Sequence, residues 1–232
     1  MNAQTSAILK TTTDELFLPS RMVYRVFDHD QLVKRLSKLR CMPFDPSTNR
    51  WTWNYEAEAK KCGFPAAYEN IPPERRPLLL ASCYLIAPDT LHVYLRSTLR
   101  LRKFMVFFDR RIPRACSKAE FLDQYNLLTI LDSRKPPARP ITPEDYFLDA
   151  SKIAVFDFER ETSDPAKARE LPSRVMNEEL QPLKRVRLDA FYEDKDGEDH
   201  MLQAGRLREI LAMKQHQSDK PIRPYEVFLE AI

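Results

Sequence analysis

Glycine is scarce in this chain, and its scarcity removes whole classes of function. Only Gly63, Gly197 and Gly205 occur. A phosphate-cradling loop or a dinucleotide fingerprint needs clustered glycines, so that backbone N–H groups can approach the phosphates closely, and no cluster exists. Cysteine is limited to Cys41, Cys62, Cys83 and Cys116, with no C-x-x-C pair and no histidines at zinc-ligand spacing. No metal site, no disulfide framework and no cofactor are expected. The pattern reads as reduced thiols in a cytoplasmic protein, with Cys83 a small core residue. No apolar run approaches the roughly 20 residues that span a bilayer, and the first residues lack a charged-then-apolar signal pattern. Neither membrane insertion nor secretion is expected.

Proline is plentiful, at 18 residues, and predicts many rigid loops and edges. Hydrophobic residues make up 43 % and charged residues 31 %, enough apolar mass for a packed core and too much for wholesale disorder. The net charge of +3 hides an asymmetry. Residues 1–130 carry 20 basic and 13 acidic side chains, whereas residues 131–232 carry 17 and 21. A basic front and an acidic back point to an acidic partner or to a charged contact between the halves.

The stretch from Pro77 to Pro113 organises the rest. Leu78 to Ile86 is apolar, Pro88-Asp89 is a turn signal, and Thr90 to Leu95 alternates Leu91, Val93 and Leu95 with His92 and Tyr94. That is a β-hairpin. Beyond Arg96 the period becomes helical: Leu101, Phe104, Met105, Phe108 and Ile112 share one face, with Ser97 as N-cap and Pro113 as stop. Lys103 and Arg110 are expected opposite that stripe, flanked by Arg100, Arg111 and Phe107. From Arg96 to Lys118 there are eight basic residues and one acid, Asp109. A second basic helix is predicted over Asp30–Cys41, capped by Asp28 or Asp30, with Leu32, Val33, Leu36 and Leu39 inward and Lys34, Arg35, Lys38 and Arg40 outward.

Elsewhere the sequence predicts a frayed tail over 1–13 and strands at 21–27, 152–158 and 183–192. Trp51, Trp53 and Tyr55 share one strand face, as core or as a stacking surface. A helical turn over 56–62 is ended by Gly63. Ser117 and Glu120 resemble a capping box, predicting a helix that carries Phe121, Leu122 and Tyr125. Thr142-Pro143-Glu144-Asp145 starts a further helix. Residues 193–199 are expected to form a hairpin turn, 201–214 an amphipathic helix and 225–232 a docking segment. The fold class is α+β, with the β-hairpin and basic helix as the core of the N-terminal half and a smaller α+β C-terminal half. A basic lobe over 1–131 is expected to be joined by a proline-rich linker or crossing segment, 132–145, to an acidic lobe over 146–232.

These features lead to a non-catalytic accessory protein that binds nucleic acid with little sequence preference. Lys34, Arg35, Lys38, Arg100, Lys103, Arg110, Arg111 and Arg114 would neutralise phosphates while Phe107 stacks on bases. A competing reading is an adaptor or assembly factor docking an acidic protein partner or a second copy in a homo-oligomer. The run Ala154-Val155-Phe156-Asp157-Phe158-Glu159 resembles the first motif of DEDD-type exonucleases over about six residues, after which Arg160-Glu161-Thr162 departs from the threonine-rich continuation. The resemblance implies a metal-dependent nuclease using Asp157 and Glu159, with Asp189 as a third ligand. This reading ranks behind the other two. The four histidines read as ordinary surface residues.

Overall fold

The computed structural model describes residues 6–132, 135, 137–149, 154–156, 183–188 and 197–218. The fold is α+β. Its centre is an eight-stranded sheet built from β2 (Ser20–Val26), β3 (Phe44–Asp45), β4 (Arg50–Asn54), β5 (Leu79–Ala87), β6 (Thr90–Leu95), β7 (Ser117–Tyr125), β9 (Ala154–Phe156) and β10 (Leu183–Arg187), in the order β3-β4-β5-β6-β2-β7-β10-β9. All pairs are antiparallel except β9 with β10. A separate ribbon pairs β1 (Ser6–Ile8) with β8 (Ile130–Asp132). The helices are α1 (His29–Leu36), α2 (Thr98–Asp109) and α3 (Gly197–Gln217). Among the described residues no helix is long and apolar enough to cross a membrane.

Register explains the two faces. Trp51 pairs with Cys83, Cys83 with Val93, Val93 with Met22, Met22 with Leu122 and Leu122 with Val186. Paired residues point the same way, so this row is apolar across six strands. It packs against Leu101, Phe104, Met105 and Phe108 of α2, all buried. Trp53 and Tyr55 are buried in the same core and not presented as a stacking surface. The next row runs Thr52, Ser82, Tyr94, Arg21, Asp123 and Arg185 and lies on the opposite face. Asp123 is fully buried there, 2.6 Å from Arg21 on one side and 2.6 Å from Arg185 on the other. The hairpin expected over 78–95 is β5–β6, and the caps are as expected. Asp28 accepts from Gln31 N–H at 2.9 Å, and Ser97 Oγ from Arg100 N–H at 3.1 Å. Gly63 closes the turn over Ala57–Cys62 at φ 64°, where its missing Cβ removes the strain.

Four local expectations are corrected. Residues 117–125 form strand β7, not a capped helix. Between β2 and β10 this segment gains ladder bonds on both edges, which outweigh a helix-like capping pattern. Residues 6–8 are not frayed, because β1 pairs with β8. Residues 142–146 make only a 3-10 turn, Pro143–Tyr146, in which Asp145 accepts from Thr142 N–H at 2.9 Å. Gly197–Asp199 opens α3 and is not part of a hairpin turn. Residues 225–232 lie outside the described residues. β9 and β10 continue the sheet begun by β2 and β7, so described strands from both sides of the proline-rich segment share one sheet.

Helix α3 packs on α2 at a close approach. A Cβ on Gly205 would sit 2.3 Å from Thr98 Cγ2. Beside it, buried Arg208 donates to Asn126 Oδ1 at 2.9 Å, to Ser20 Oγ at 3.1 Å, to Pro19 O at 2.9 Å, and also to Tyr125 O. Gly205→Ala is therefore expected to lose about 1–3 kcal/mol by overpacking. Arg206→Ala, at an exposed neighbouring position, should stay within about 0.5 kcal/mol, and urea titration of both variants measures the difference.

On the polar face His92 is half-buried beside Tyr94 and near the Asp123 pairs. Burial, then repulsion from Arg21, hold its imidazole down to about 4, against attraction from Asp123. An unfolded His titrates near pH 6.5. Above that value neither state is charged and His92 has no effect on stability. As pH falls from about 6.5 to about 4 the unfolded chain takes up a proton that the folded chain refuses, so stability declines across that window. His92→Phe should remove about 1–2 kcal/mol of this decline, allowing for partial access of water. Urea midpoints of both proteins at pH 7 and pH 4.5 measure it.

Candidate nucleic-acid interface

Helix α1 divides its residues cleanly. Leu32 and Leu36 are buried, while Lys34, Arg35 and the following Lys38 are exposed. Cations in the last turn complement the partial negative charge of the helix C-terminus. Helix α2 ends nearby with Arg110 as its C-cap and Arg111 just beyond. The two ends are tied together: Arg35 donates from Nη1 to Arg111 O at 3.2 Å and from Nε to Gln31 Oε1 at 3.2 Å.

Between them lies an open cleft of about 470 Å3, lined by Gln31, Lys34, Arg35, Lys38, Leu39 and Arg111. Its lining holds four cations and no carboxylate. The Lys34 and Lys38 ammonium groups make no hydrogen bond or ion pair among the described residues. Arg111 is held in place: Nη1 donates to Phe107 O at 2.8 Å, and the guanidinium lies 3.8 Å from the centre of the Phe107 ring. Lys103 and Arg110 extend the positive region toward Cys62. Burial pushes the Cys62 thiol up, while Arg111, Lys103 and Arg110 pull it down, so all three act on one spot. Arg110 and Arg114 are exposed and Lys103 is half-buried.

Two expected site residues are elsewhere. Arg100 is 1 % exposed and faces inward. Its Nε donates to Glu15 at 3.0 Å, Nη1 to Leu79 O at 3.0 Å and Nη2 to Thr13 Oγ1 at 2.8 Å, while Ser97 Oγ also donates to Glu15. Phe107 is 3 % exposed, packed 5.3 Å from the Trp53 ring with Arg111 over its other side. Neither can touch a nucleic acid. The reason is that α2 is covered on more than its sheet side: the Thr13–Glu15 stretch closes over Arg100, and Trp53 and the turn over 57–62 lie against the side that carries Phe107. Gln31 and Leu39 are cleft residues that a reading of charge alone passes over. Gln31 is one turn before Arg35 on the same side of α1, which is its signal, whereas Leu39 lies beyond the helix end at Leu36, which comes earlier than the expected Cys41.

Asp157, Glu159 and Asp189 lie outside the described residues. Among the described residues no group of three or more His, Cys, Asp or Glu is placed to hold a metal ion, and the four cysteines are all thiols. No family model, no curated protein and no solved structure matches this chain.

The burial of Arg100 sets a clear expectation. Removing one partner of a buried ion pair strands the other, so Arg100→Met should cost about 3–5 kcal/mol. Lys34→Met, on the exposed side of α1, should change stability by less than about 0.5 kcal/mol. Denaturant unfolding of the two variants separates a structural arginine from a surface cation.

Proposed function

We propose that this protein is a non-catalytic nucleic-acid-binding accessory protein, and that the cleft between α1 and the end of α2 carries the phosphate backbone. The observation that supports this reading is the convergence of Lys34, Arg35 and Lys38 from one helix with Arg111 from another, in an open cleft without an acidic lining residue. Lysines and arginines at a concave surface neutralise phosphates and release counterions, which makes affinity steeply dependent on salt. Arg35 and Arg111 are fixed by their own hydrogen bonds and present oriented guanidinium edges. Lys34 and Lys38 act as mobile point charges. Arg110 and Lys103 extend the track. The lining holds no carboxylate, imidazole, thiol or hydroxyl group, and the role assigned to the cleft is binding. With Phe107 and the tryptophans in the core, the aromatic stacking surface is gone from the reading. Contacts are to the backbone, and sequence preference is weak.

The test is a titration of fluorescent single- and double-stranded DNA and RNA oligonucleotides at two salt concentrations. Binding should weaken about tenfold or more between the two. Charge reversal at Lys34, Lys38 and Arg110, which have no ion pair among the described residues, should abolish binding with an unchanged circular dichroism spectrum. Milder Ala variants should lower the salt slope by about one for each phosphate no longer neutralised. Absence of binding at low salt, or binding indifferent to the triple reversal, would refute the reading and leave an acidic protein partner as the cleft's occupant.

A further inference from the structure

We infer that a second cavity, at the other end of α2, binds a small monocarboxylate with an apolar body, its carboxylate held by Arg96. The cavity measures about 360 Å3, within the ~300–1,000 Å3 range of small-molecule sites. Leu9, Phe17, Leu78, Leu131 and Ile141 give it an apolar wall, and Arg96 lines it together with Thr11, Lys10 and Arg100.

The charge balance at the wall singles out Arg96. Lys10 is paired to Asp14 at 2.9 Å. Arg100 is paired to Glu15 at 3.0 Å and spends its remaining donors on Leu79 O and Thr13. The Arg96 guanidinium is partly buried and makes no hydrogen bond or ion pair among the described residues. Glu144 attracts it from beyond pairing distance while accepting from Tyr84 Oη at 3.4 Å, and Arg50 adds repulsion. Withdrawing a guanidinium from water costs free energy unless an anion and hydrogen bonds compensate. A carboxylate supplies both, since its two oxygens match the planar fork of an arginine. One surplus cation calls for one negative charge, and the apolar wall calls for a hydrocarbon body behind it. That combination disfavours a free phosphate, which has no apolar part.

Calorimetric titration with octanoate, octan-1-ol and inorganic phosphate tests the assignment. Octanoate should bind with a dissociation constant below about 1 mM, and octan-1-ol and phosphate at least about tenfold more weakly. Arg96→Gln should weaken octanoate by about 10- to 100-fold, the worth of one charge-assisted hydrogen bond, and leave octan-1-ol unchanged. Ile141→Trp fills the cavity while keeping Arg96, and should abolish binding of both chains. It decides the matter should Arg96→Gln fail to fold. No heat with octanoate would overturn the proposal. So would equal affinity for octanoate and octan-1-ol, phosphate binding as tightly as octanoate, or octanoate affinity unchanged in both variants.

Discussion

A fully buried carboxylate, Asp123, sets the register of the sheet. Strand β7 lies between β2, near the N-terminus, and β10, beyond the proline-rich segment. Asp123 sits directly opposite Arg21 on one neighbour and Arg185 on the other, and both guanidinium groups reach it. A buried anion without partners costs several kcal/mol, so the three strands are stable together only in this alignment. A slip of one residue would turn Asp123 onto the apolar row beneath α2 and expose Leu122. The second arginine leaves a surplus positive charge. Part of it is offset by Phe147, whose carbonyl accepts from Arg21 Nη1 at 3.3 Å and whose ring lies 5.3 Å from the guanidinium. The turn over 143–146 is thereby docked on the polar face, which joins the stretches on either side of the prolines through electrostatics as well as backbone pairing.

The elements legible in the sequence are those whose pattern is local. The β5–β6 hairpin is written in two apolar stretches and one Pro-Asp turn, and α1 and α2 in their spacing and in Asp28 and Ser97. Strand β7 is not legible, and the reason lies in one residue. Val23 pairs with Phe121 but Tyr24 pairs with Ala119, so Glu120 is an extra residue in a bulge. Alternation changes phase there: Ala119 and Leu122, three apart, both end on the apolar face, which is helical spacing on a strand. The capping-box appearance of Ser117 and Glu120 reinforces the wrong period. Gly205 and Arg208 are equally silent, because what matters about them is the touch of α3 on Thr98 and the bonds to β2 and β7, contacts spanning some eighty to nearly two hundred residues of chain.

Counting charge along the sequence overstates the binding surface and still locates it. The basic excess of the front half includes arginines that serve the fold. Arg21 closes the sheet through Asp123, and Arg100 closes the α2 N-terminus through Glu15. Arg is suited to both tasks because a planar fork can satisfy several buried acceptors at once. Lysine appears in none of these buried roles, and Lys34 and Lys38 remain at the rim of the cleft. The distinction is physical: a compact ammonium holds its hydration strongly and stays where water is, whereas a guanidinium tolerates burial among carbonyls and rings. In such a chain an uncommitted lysine marks an outward-facing surface more reliably than an arginine does.

The two ends of α2 therefore serve different chemistries. Arg111 at its C-terminal end belongs to an open, wholly basic cleft suited to an extended polyanion. Arg96, just before its N-terminal end, belongs to a walled cavity suited to a compact monoanion. Twelve helical residues separate them by about 18 Å. That exceeds the Debye length of about 10 Å at 0.1 M salt, so charge bound at one end is largely screened from the other. Coupling between the sites would have to pass mechanically through α2 itself. The helix is clamped along its length by the sheet, by Arg208 and Gly205 of α3, and by the Trp53–Phe107–Arg111 stack. A rod fixed at so many points resists translation, which argues that the two surfaces act independently.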